Sequence, residues 1–185
     1  MTSHAAGTPG RILILTGPPG AGKTTVARLL ADASEIRTVH LHTDDFFAAI
    51  RTGFIAPWLA QSHSQNLTVS TAIAACAGAF AVGGYLVIVD GIVGPWFLDL
   101  YRDEARRSEL ALDYVVLRPD KADAVERAAT RTIAPLNDYP PHIFEGFADL
   151  GGLEGHVVVV GDQGPDEVAR AVREGAAAER FRLAL

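Results

Sequence analysis

The sequence predicts an α/β fold with a five-stranded parallel sheet and helices on both faces. The strand candidates, such as 85–89 and 156–160, are continuous apolar runs. Such runs are typical of strands buried on both faces of a parallel sheet. Helical patterns fall between these strands, as in repeated β-α units. At 185 residues the chain suits one domain. We place that domain over residues 11–185, after a flexible leader at 1–10.

The predicted elements follow one another along the whole domain. Strand candidates lie at 11–16, 37–42, 85–89, 113–118 and 156–160. Helical patterns lie at 23–33, 66–81, 97–108, 120–131, 141–150 and 165–179. In sheets of this kind ligands bind beyond the carboxyl ends of the strands. The residues that directly follow each strand are therefore the candidates for a functional site.

The segment 67–89 contains no charged side chain and is long enough to span a membrane. Its interior argues otherwise, because Ser70 and Thr71 are polar and Gly83 interrupts the pattern before a β-branched run. We therefore predict a buried helix over 66–81, a turn and a strand, with no membrane partner.

Charge and cysteine content narrow the functional classes. The net charge is −6 and the basic residues form no block, which argues against nucleic acid or acidic lipid as a partner. The single cysteine, Cys76, lies in an alanine-rich stretch and cannot form an internal disulfide. The leader lacks the charged-then-apolar order of a signal peptide. We predict a cytoplasmic enzyme, as a monomer or a homodimer.

The most informative motif is a glycine-rich loop between the first strand and the first helix. It reads Gly17, Pro18, Pro19, Gly20, Ala21, Gly22, Lys23 and Thr24, which matches the Walker A pattern G-x-x-x-x-G-K-S/T. Glycines let backbone N–H groups approach a polyphosphate, and the helix N-terminus adds partial positive charge. Lys23 is placed to bridge the β- and γ-phosphates and Thr24 to ligate Mg²⁺, with Thr25 beside them. The motif predicts that the chain binds a nucleoside triphosphate.

Two aspartates, Asp44 and Asp45, follow the second strand candidate. A carboxylate at a strand's carboxyl end can accept the proton of a substrate hydroxyl or orient that hydroxyl. The alternative is that one of the two caps the helix that follows. We assign Asp44 to the chemistry and to substrate contact, and Asp45 to the cap.

Asp90 follows four apolar residues of the third strand candidate, which is the Walker B pattern. An acidic residue in this position lies near Mg²⁺, often through a coordinated water, and near the substrate. In the alternative interpretation, Asp90 only starts a turn with Gly91.

Two arginines, Arg127 and Arg131, share one face of the helix predicted after the fourth strand. They could close over the triphosphate and neutralise charge as the γ-phosphoryl group leaves. We place this lid at about 127–140. The alternative is a solvated helix face on which Arg127 pairs with Asp123.

The segment 46–66 is the predicted acceptor region, since it lies between Asp44 and the next buried helix. Its aromatic side chains could form an apolar slot, with Trp58 in a loop as the best candidate and Arg51 available to an anionic group. Phe46, Phe47 and Phe54 lie at helical spacing, which is more typical of the core than of a pocket. Trp96 and Phe97 are candidates for another wall of the same cavity.

These motifs, in this order, resemble the small-molecule kinases of the P-loop superfamily over residues 11–175. The chain looks most like the chloramphenicol phosphotransferase-like proteins, and more distantly like gluconate and shikimate kinases. The resemblance implies a three-layer P-loop NTPase fold with strand order 2-3-1-4-5. It also implies transfer of the ATP γ-phosphate to a hydroxyl with Mg²⁺. Asp44 matches the catalytic aspartate of such kinases, and Arg127 and Arg131 match their lid approach.

Two alternatives share the nucleotide site. A nucleoside monophosphate kinase would need several cations over its acceptor phosphate, whereas Arg51 is the only Lys or Arg between Asp45 and Asp90. A nucleotide-hydrolysing regulatory ATPase would use water in place of an acceptor. We rank the hydroxyl kinase first, the nucleotide kinase second and the hydrolase third.

Overall fold

The computed structural model describes residues 10–119 and 139–185. Its strands are β1 Arg11–Thr16, β2 Thr38–His42, β3 Leu86–Asp90, β4 Ala111–Pro119 and β5 Val157–Val160. The helices of the described part are α1 Lys23–Asp32, α2 Thr43–Ala48, α3 His63–Val82, α4 Leu98–Arg107, α5 Pro141–Glu145 and α6 Pro165–Ala177. Short 3-10 helices cover Ala60–Ser62, Pro95–Phe97 and Gly151–His156.

The five strands form one parallel sheet of order β2-β3-β1-β4-β5. The predicted fold class and strand order are therefore confirmed. The register pairs Asp90 of β3 with Leu15 of β1 on one side and with His42 of β2 on the other. Three neighbouring strands thus end at the same level, and the segments that follow them meet at one edge of the sheet.

The two faces of the sheet bury separate clusters of side chains. In β1, Ile12 and Ile14 join the cluster that contains α3 and α4, while Leu13 and Leu15 join the cluster that contains α1 and α6. Successive side chains of a strand point to opposite faces, so a strand with a helical layer on each side must be apolar throughout. Burial on both faces of the sheet therefore explains the continuous apolar runs in the sequence.

Helix α3 lies within the part of the chain that could cross a membrane by length and composition alone, Ala60–Val82. In this fold one face of α3 packs onto the sheet and onto α4, with Ile73 and Ala77 almost completely buried. At Gly78 a Cβ atom would lie 2.2 Å from the Glu104 carboxylate of α4, so the glycine allows the two helices to approach. The helix predicted over 66–81 is present and begins three residues earlier.

One helix prediction was too long. Residues 141–150 were predicted as a helix, but α5 ends at Glu145 and a 3-10 helix follows only at Gly151–His156. Gly146 is the C-cap of α5, and a Cβ atom there would lie 2.8 Å from the Trp96 ring. The leader at 1–9, the helix predicted over 120–131 and nearly all of the lid predicted at 127–140 lie outside the described residues.

Candidate nucleotide and acceptor site

The loop between β1 and α1 has the backbone that its glycines predict. Gly17, Gly20 and Gly22 have φ values of 144°, 85° and 84°, which side chains rarely tolerate. At Gly17 a Cβ atom would also lie 2.1 Å from the Leu117 carbonyl oxygen of β4, so only glycine fits there. Helix α1 begins from Gly22 with no side-chain cap from the described residues. The first N–H groups of a helix have no acceptor within the helix, and this end is therefore suited to an anion.

The two predicted phosphate and metal contacts lie in the first turn of α1. The Lys23 ammonium donates a hydrogen bond to the Pro18 carbonyl at 3.0 Å, which folds the side chain back over the loop. Thr24 follows it and is exposed, and Thr25 is half-buried. This is the arrangement in which loop amides, an ammonium and a hydroxyl can surround a polyphosphate.

Asp90 is the last residue of β3 and has 0% exposure. Its Oδ2 atom lies 3.3 Å from Nε2 of His40. Its Oδ1 atom is buried with no hydrogen-bond partner among the described residues. A buried carboxylate oxygen without a partner is costly, so this oxygen is suited to a water in a metal ion's coordination shell.

No group of three or more His, Cys, Asp or Glu side chains within 10–119 and 139–185 has the geometry of a metal site. Mg²⁺ does not require such a group, because it keeps several waters and binds through one or two protein groups together with substrate phosphates. The Thr24 hydroxyl and the free oxygen of Asp90 fit that requirement.

Close contacts hold the three strand ends together beneath this site. The buried hydroxyl of Thr16, at the end of β1, accepts a hydrogen bond from the Val93 N–H at 2.9 Å. At Gly91 a Cβ atom would lie 1.8 Å from Oγ1 of Thr43, so the chain after β3 touches the first residue of α2. The phosphate loop, Asp90 and the start of α2 therefore form one packed unit.

A histidine that the sequence analysis did not single out lies among the acidic side chains of the site. Nε2 of His42 is 3.7 Å from Oδ2 of Asp44 and 3.9 Å from Oδ2 of Asp90, while Nδ1 is 3.7 Å from Oδ1 of Asp45. The alternation His40-Leu41-His42 at a strand end was the available signal, because it puts both imidazoles on one face of β2.

The assignment of Asp45 as a helix cap was wrong. Strand β2 runs directly into α2, whose N-cap is His42, so both aspartates fall inside the first helical turn. Their side chains are 74% and 82% exposed for Asp44 and Asp45. Carboxylates in a first turn interact favourably with the helix dipole without capping. Asp44 lines the cavity beside the site, and Asp45 does not.

This cavity has a volume of about 510 Å³ and lies between α2, α3 and the segment after β3. The aromatic residues of its described lining are Phe47, Phe54, Trp58, Trp96, Phe97, Tyr101 and Tyr139. The rings of Trp58 and Tyr139 lie 4.9 Å apart. The volume and the mostly apolar lining are typical of small-molecule sites.

The loop that carries Trp58 is held by the first turn of α3. Gln65 exchanges two hydrogen bonds with the backbone of Ile55, at 2.8 and 2.7 Å. Asn66 Nδ2 donates to the Pro57 carbonyl at 2.6 Å, and the Ser62 hydroxyl donates to the same oxygen at 2.8 Å. The loop therefore presents Trp58 on a fixed support.

Polar side chains besides Asp44 also line the cavity, among them Asn66, Ser70 and Tyr101. Oδ1 of Asn66 and the hydroxyl of Tyr101 are buried without a hydrogen-bond partner among the described residues. Burial raises the pKa of Tyr101, so its hydroxyl keeps its proton. Sequence analysis missed these residues because a helix that buries one face looks the same whether that face meets the core or a cavity.

The other predicted site residues have different positions. Trp58, Trp96 and Phe97 line the cavity. Phe47 and the half-exposed Phe54 also line it, although the core was the favoured prediction for both. Phe46 packs against the core. Arg51 lies beyond the end of α2, is exposed and is not part of the described lining. Arg127 and Arg131 fall outside the described residues, so their lid role remains a prediction.

The fold and the loop geometry together define a P-loop protein of the kinase type, in which a phosphate loop and an acceptor-sized cavity share one sheet edge. A family model described as an AAA domain matches residues 12–140, and the chain belongs to this family. An adenylate kinase of Anaeromyxobacter sp. (strain K) is 31% identical over 184 residues, covering 88% of this chain and 81% of that protein.

Solved kinase structures have the same fold at low sequence identity. The APS kinase of Mycobacterium tuberculosis in complex with AMPPNP and APS has a TM-score of 0.72 at 18% identity, covering 92% of this chain and 99% of that one. A gluconokinase of Sinorhizobium meliloti 1021 has a TM-score of 0.64 at 21% identity, with coverages of 93% and 94%. Shikimate kinase of Acinetobacter baumannii in complex with shikimate has a TM-score of 0.59 at 19% identity, covering 92% of this chain and 94% of that one. The narrower resemblance to chloramphenicol phosphotransferase-like proteins stays a prediction.

Proposed function

We propose that this protein is an ATP-dependent phosphotransferase that moves the γ-phosphate to a hydroxyl of a small molecule. The observation that carries the proposal is the position of Asp44. Its side chain lines the acceptor-sized cavity, and it approaches the same His42 nitrogen as the buried Asp90. A carboxylate placed between the cavity and the predicted metal contact is where an acceptor hydroxyl would meet the γ-phosphate.

The nucleotide would be held by the loop and the first turn of α1. The N–H groups at the start of α1 and the Lys23 ammonium would bind the β- and γ-phosphates. The AMPPNP bound to the APS kinase of the same fold supports ATP as the donor. Thr24 and Asp90 would hold Mg²⁺, which when bound neutralises phosphate charge.

In the transfer step, the acceptor oxygen would bond to the γ-phosphorus while the bond between that phosphorus and the β-γ bridging oxygen breaks and ADP leaves. The proton of the acceptor hydroxyl would pass to the Asp44 carboxylate, which is exposed enough to reach it. Arg127 and Arg131 are proposed to neutralise the charge of the transferred group from the lid.

A nucleoside monophosphate kinase is the second candidate, because the adenylate kinase relative favours it. Its acceptor is a phosphate, which needs cationic partners. The cavity lining within the described residues contains no Lys, Arg or His. Simple hydrolysis uses water as the acceptor and does not require a cavity of this size beside Asp44. Both observations support the hydroxyl kinase over these alternatives.

The test is ADP release from ATP against a panel of sugars, antibiotics, nucleosides, hydroxy acids and AMP, with mass analysis of the acceptor. Turnover that depends on an alcohol and adds one phosphoryl group to it supports the proposal. Turnover with AMP alone would assign the nucleotide kinase instead. Release that no acceptor accelerates would assign a hydrolase.

A further inference from the structure

The cavity beside Asp44 does not offer the cationic partners that an anionic acceptor requires within its described lining. Asp44 is the one residue of its described lining that carries a charge near neutral pH, and that charge is negative. A carboxylate or phosphate on the acceptor would enter an apolar slot next to this like charge. Burial of an anion without a partner is strongly unfavourable. Arg51 does not relieve this cost, because it lies outside the described lining, and the role proposed for Arg127 and Arg131 is to neutralise the transferred phosphoryl group.

The lining has positive features of its own. Aromatic rings from three separate segments face the same space, with Phe47 from α2, Trp58 from the loop and Trp96 from the segment after β3. Ile73 and Ile143 add branched aliphatic surface. Flat rings and branched aliphatic groups of a ligand gain most from such walls, through burial of apolar area and offset ring contacts.

Tyr101 and Asn66 have hydrogen-bonding capacity that no other residue within 10–119 and 139–185 meets. The Tyr101 hydroxyl is a donor, since its pKa is raised by burial, and Oδ1 of Asn66 is an acceptor. Both residues are more than nine-tenths buried. Neutral groups such as a second hydroxyl or an amide match one donor and one acceptor, whereas an anion matches only the donor.

We propose that the acceptor is an uncharged, largely apolar alcohol that carries a ring, and not an anionic acid or nucleotide. This inference rests on the proposed function and names the substrate class of the same site. The ring would lie between Trp58 and Trp96, and the reacting hydroxyl would point to Asp44.

The experiment compares each hydroxy acid with its neutral methyl ester, so that the number and position of the hydroxyls stay the same. One pair is methyl 3-phenyllactate and 3-phenyllactate, and the other is methyl shikimate and shikimate. ADP release measures turnover, and calorimetry in the presence of AMPPNP measures binding. We expect kcat/KM to be at least about 10-fold higher for the neutral member of each pair, because the anion must be desolvated beside Asp44. Equal or better use of the anionic member would overturn the inference.

A charge-insertion variant provides a second readout. Phe54 and Leu59 are both about half exposed in the same loop, but only Phe54 lines the cavity. Phe54→Arg should therefore narrow or reverse the preference for the neutral alcohol, whereas the matched Leu59→Arg should leave the preference unchanged. A preference that responds equally in both variants would contradict a role for the cavity.

The outcomes separate this inference from the proposed function. Binding of the neutral alcohols without acceptor-dependent ADP release would overturn the kinase proposal while supporting the class of ligand. Turnover with gluconate, shikimate or AMP in preference to every neutral alcohol would support phosphoryl transfer and overturn the ligand class. Failure of any neutral alcohol to bind in the presence of AMPPNP would overturn the ligand class as well.

Discussion

The carboxylates of Asp44 and Asp90 approach the same atom, Nε2 of His42, at 3.7 and 3.9 Å. Asp44 is exposed and lines the cavity, whereas Asp90 is buried at the end of β3. The imidazole between them links the predicted acceptor site to the predicted metal contact. The parallel register of β2 and β3, which pairs His42 with Asp90, produces this relationship.

Lys23→Ala should abolish turnover and weaken ATP binding, because the ammonium is the predicted partner of the β- and γ-phosphate oxygens. Arg28→Ala, on the exposed side of the same helix, is the matched control and should change neither. The measurements are ADP release and the Kd for ATP. Full activity of Lys23→Ala would mean that the Walker A match is accidental.

Asp44→Asn should reduce acceptor-dependent kcat by roughly 10²-fold or more, the usual scale for a positioned proton acceptor. ATP affinity should survive, since the loop holds the phosphates. Asp45→Asn is the control, because this neighbour has the same exposure but does not line the cavity. Equal small losses in both variants would refute the assignment, and lost ATP affinity in Asp44→Asn would place that carboxylate near the metal.

Asp90→Asn should raise the Mg²⁺ concentration required for half-maximal activity. The substitution removes the negative charge of a carboxylate whose Oδ1 atom has no hydrogen-bond partner among the described residues and would hold metal-bound water. A titration of activity against Mg²⁺ at saturating ATP measures the effect. An unchanged Mg²⁺ requirement together with unchanged turnover would reduce Asp90 to a turn residue.

His42→Gln should lower kcat by roughly 10-fold with little change in the KM for ATP, if the imidazole positions Asp44. The decisive comparison is a double-mutant cycle with Asp44→Asn. We expect the two losses in kcat to be strongly non-additive, because the histidine acts through the aspartate. Additive losses would show that His42 contributes separately, for example to the fold alone.

Gly91→Ala should destabilise the fold by about 1–3 kcal/mol, the usual cost of overpacking a tight contact. The added Cβ atom would lie 1.8 Å from Oγ1 of Thr43, and the two segments would have to separate. Gly152→Ala is the control, because a Cβ atom there meets nothing within 4 Å. Urea unfolding of both variants measures the difference, and equal stability would contradict the packed junction of β2 and β3.

The sequence by itself determined the fold class, the strand positions and the phosphate loop. These features depend on local patterns. The apolar run of β1 follows from burial on both faces, and the glycines at 17, 20 and 22 follow from a backbone that side chains cannot adopt. Asp44 and Asp90 could be selected because parallel strands bring their carboxyl ends to one edge, wherever each strand lies along the chain.

Only the tertiary structure decided which side chains share that edge. His42 joins Asp44 and Asp90 through the register of β2 with β3, and no local pattern encodes a register. Asp45 lies within the first turn of α2 because β2 runs directly into this helix. The N-cap position is therefore taken by His42, the last residue of the strand. Asn66 and Tyr101 line a cavity because segments far apart in the chain leave space between α2, α3 and the segment after β3. Periodicity shows that a helix face is buried, but the long-range packing decides whether core or ligand covers it.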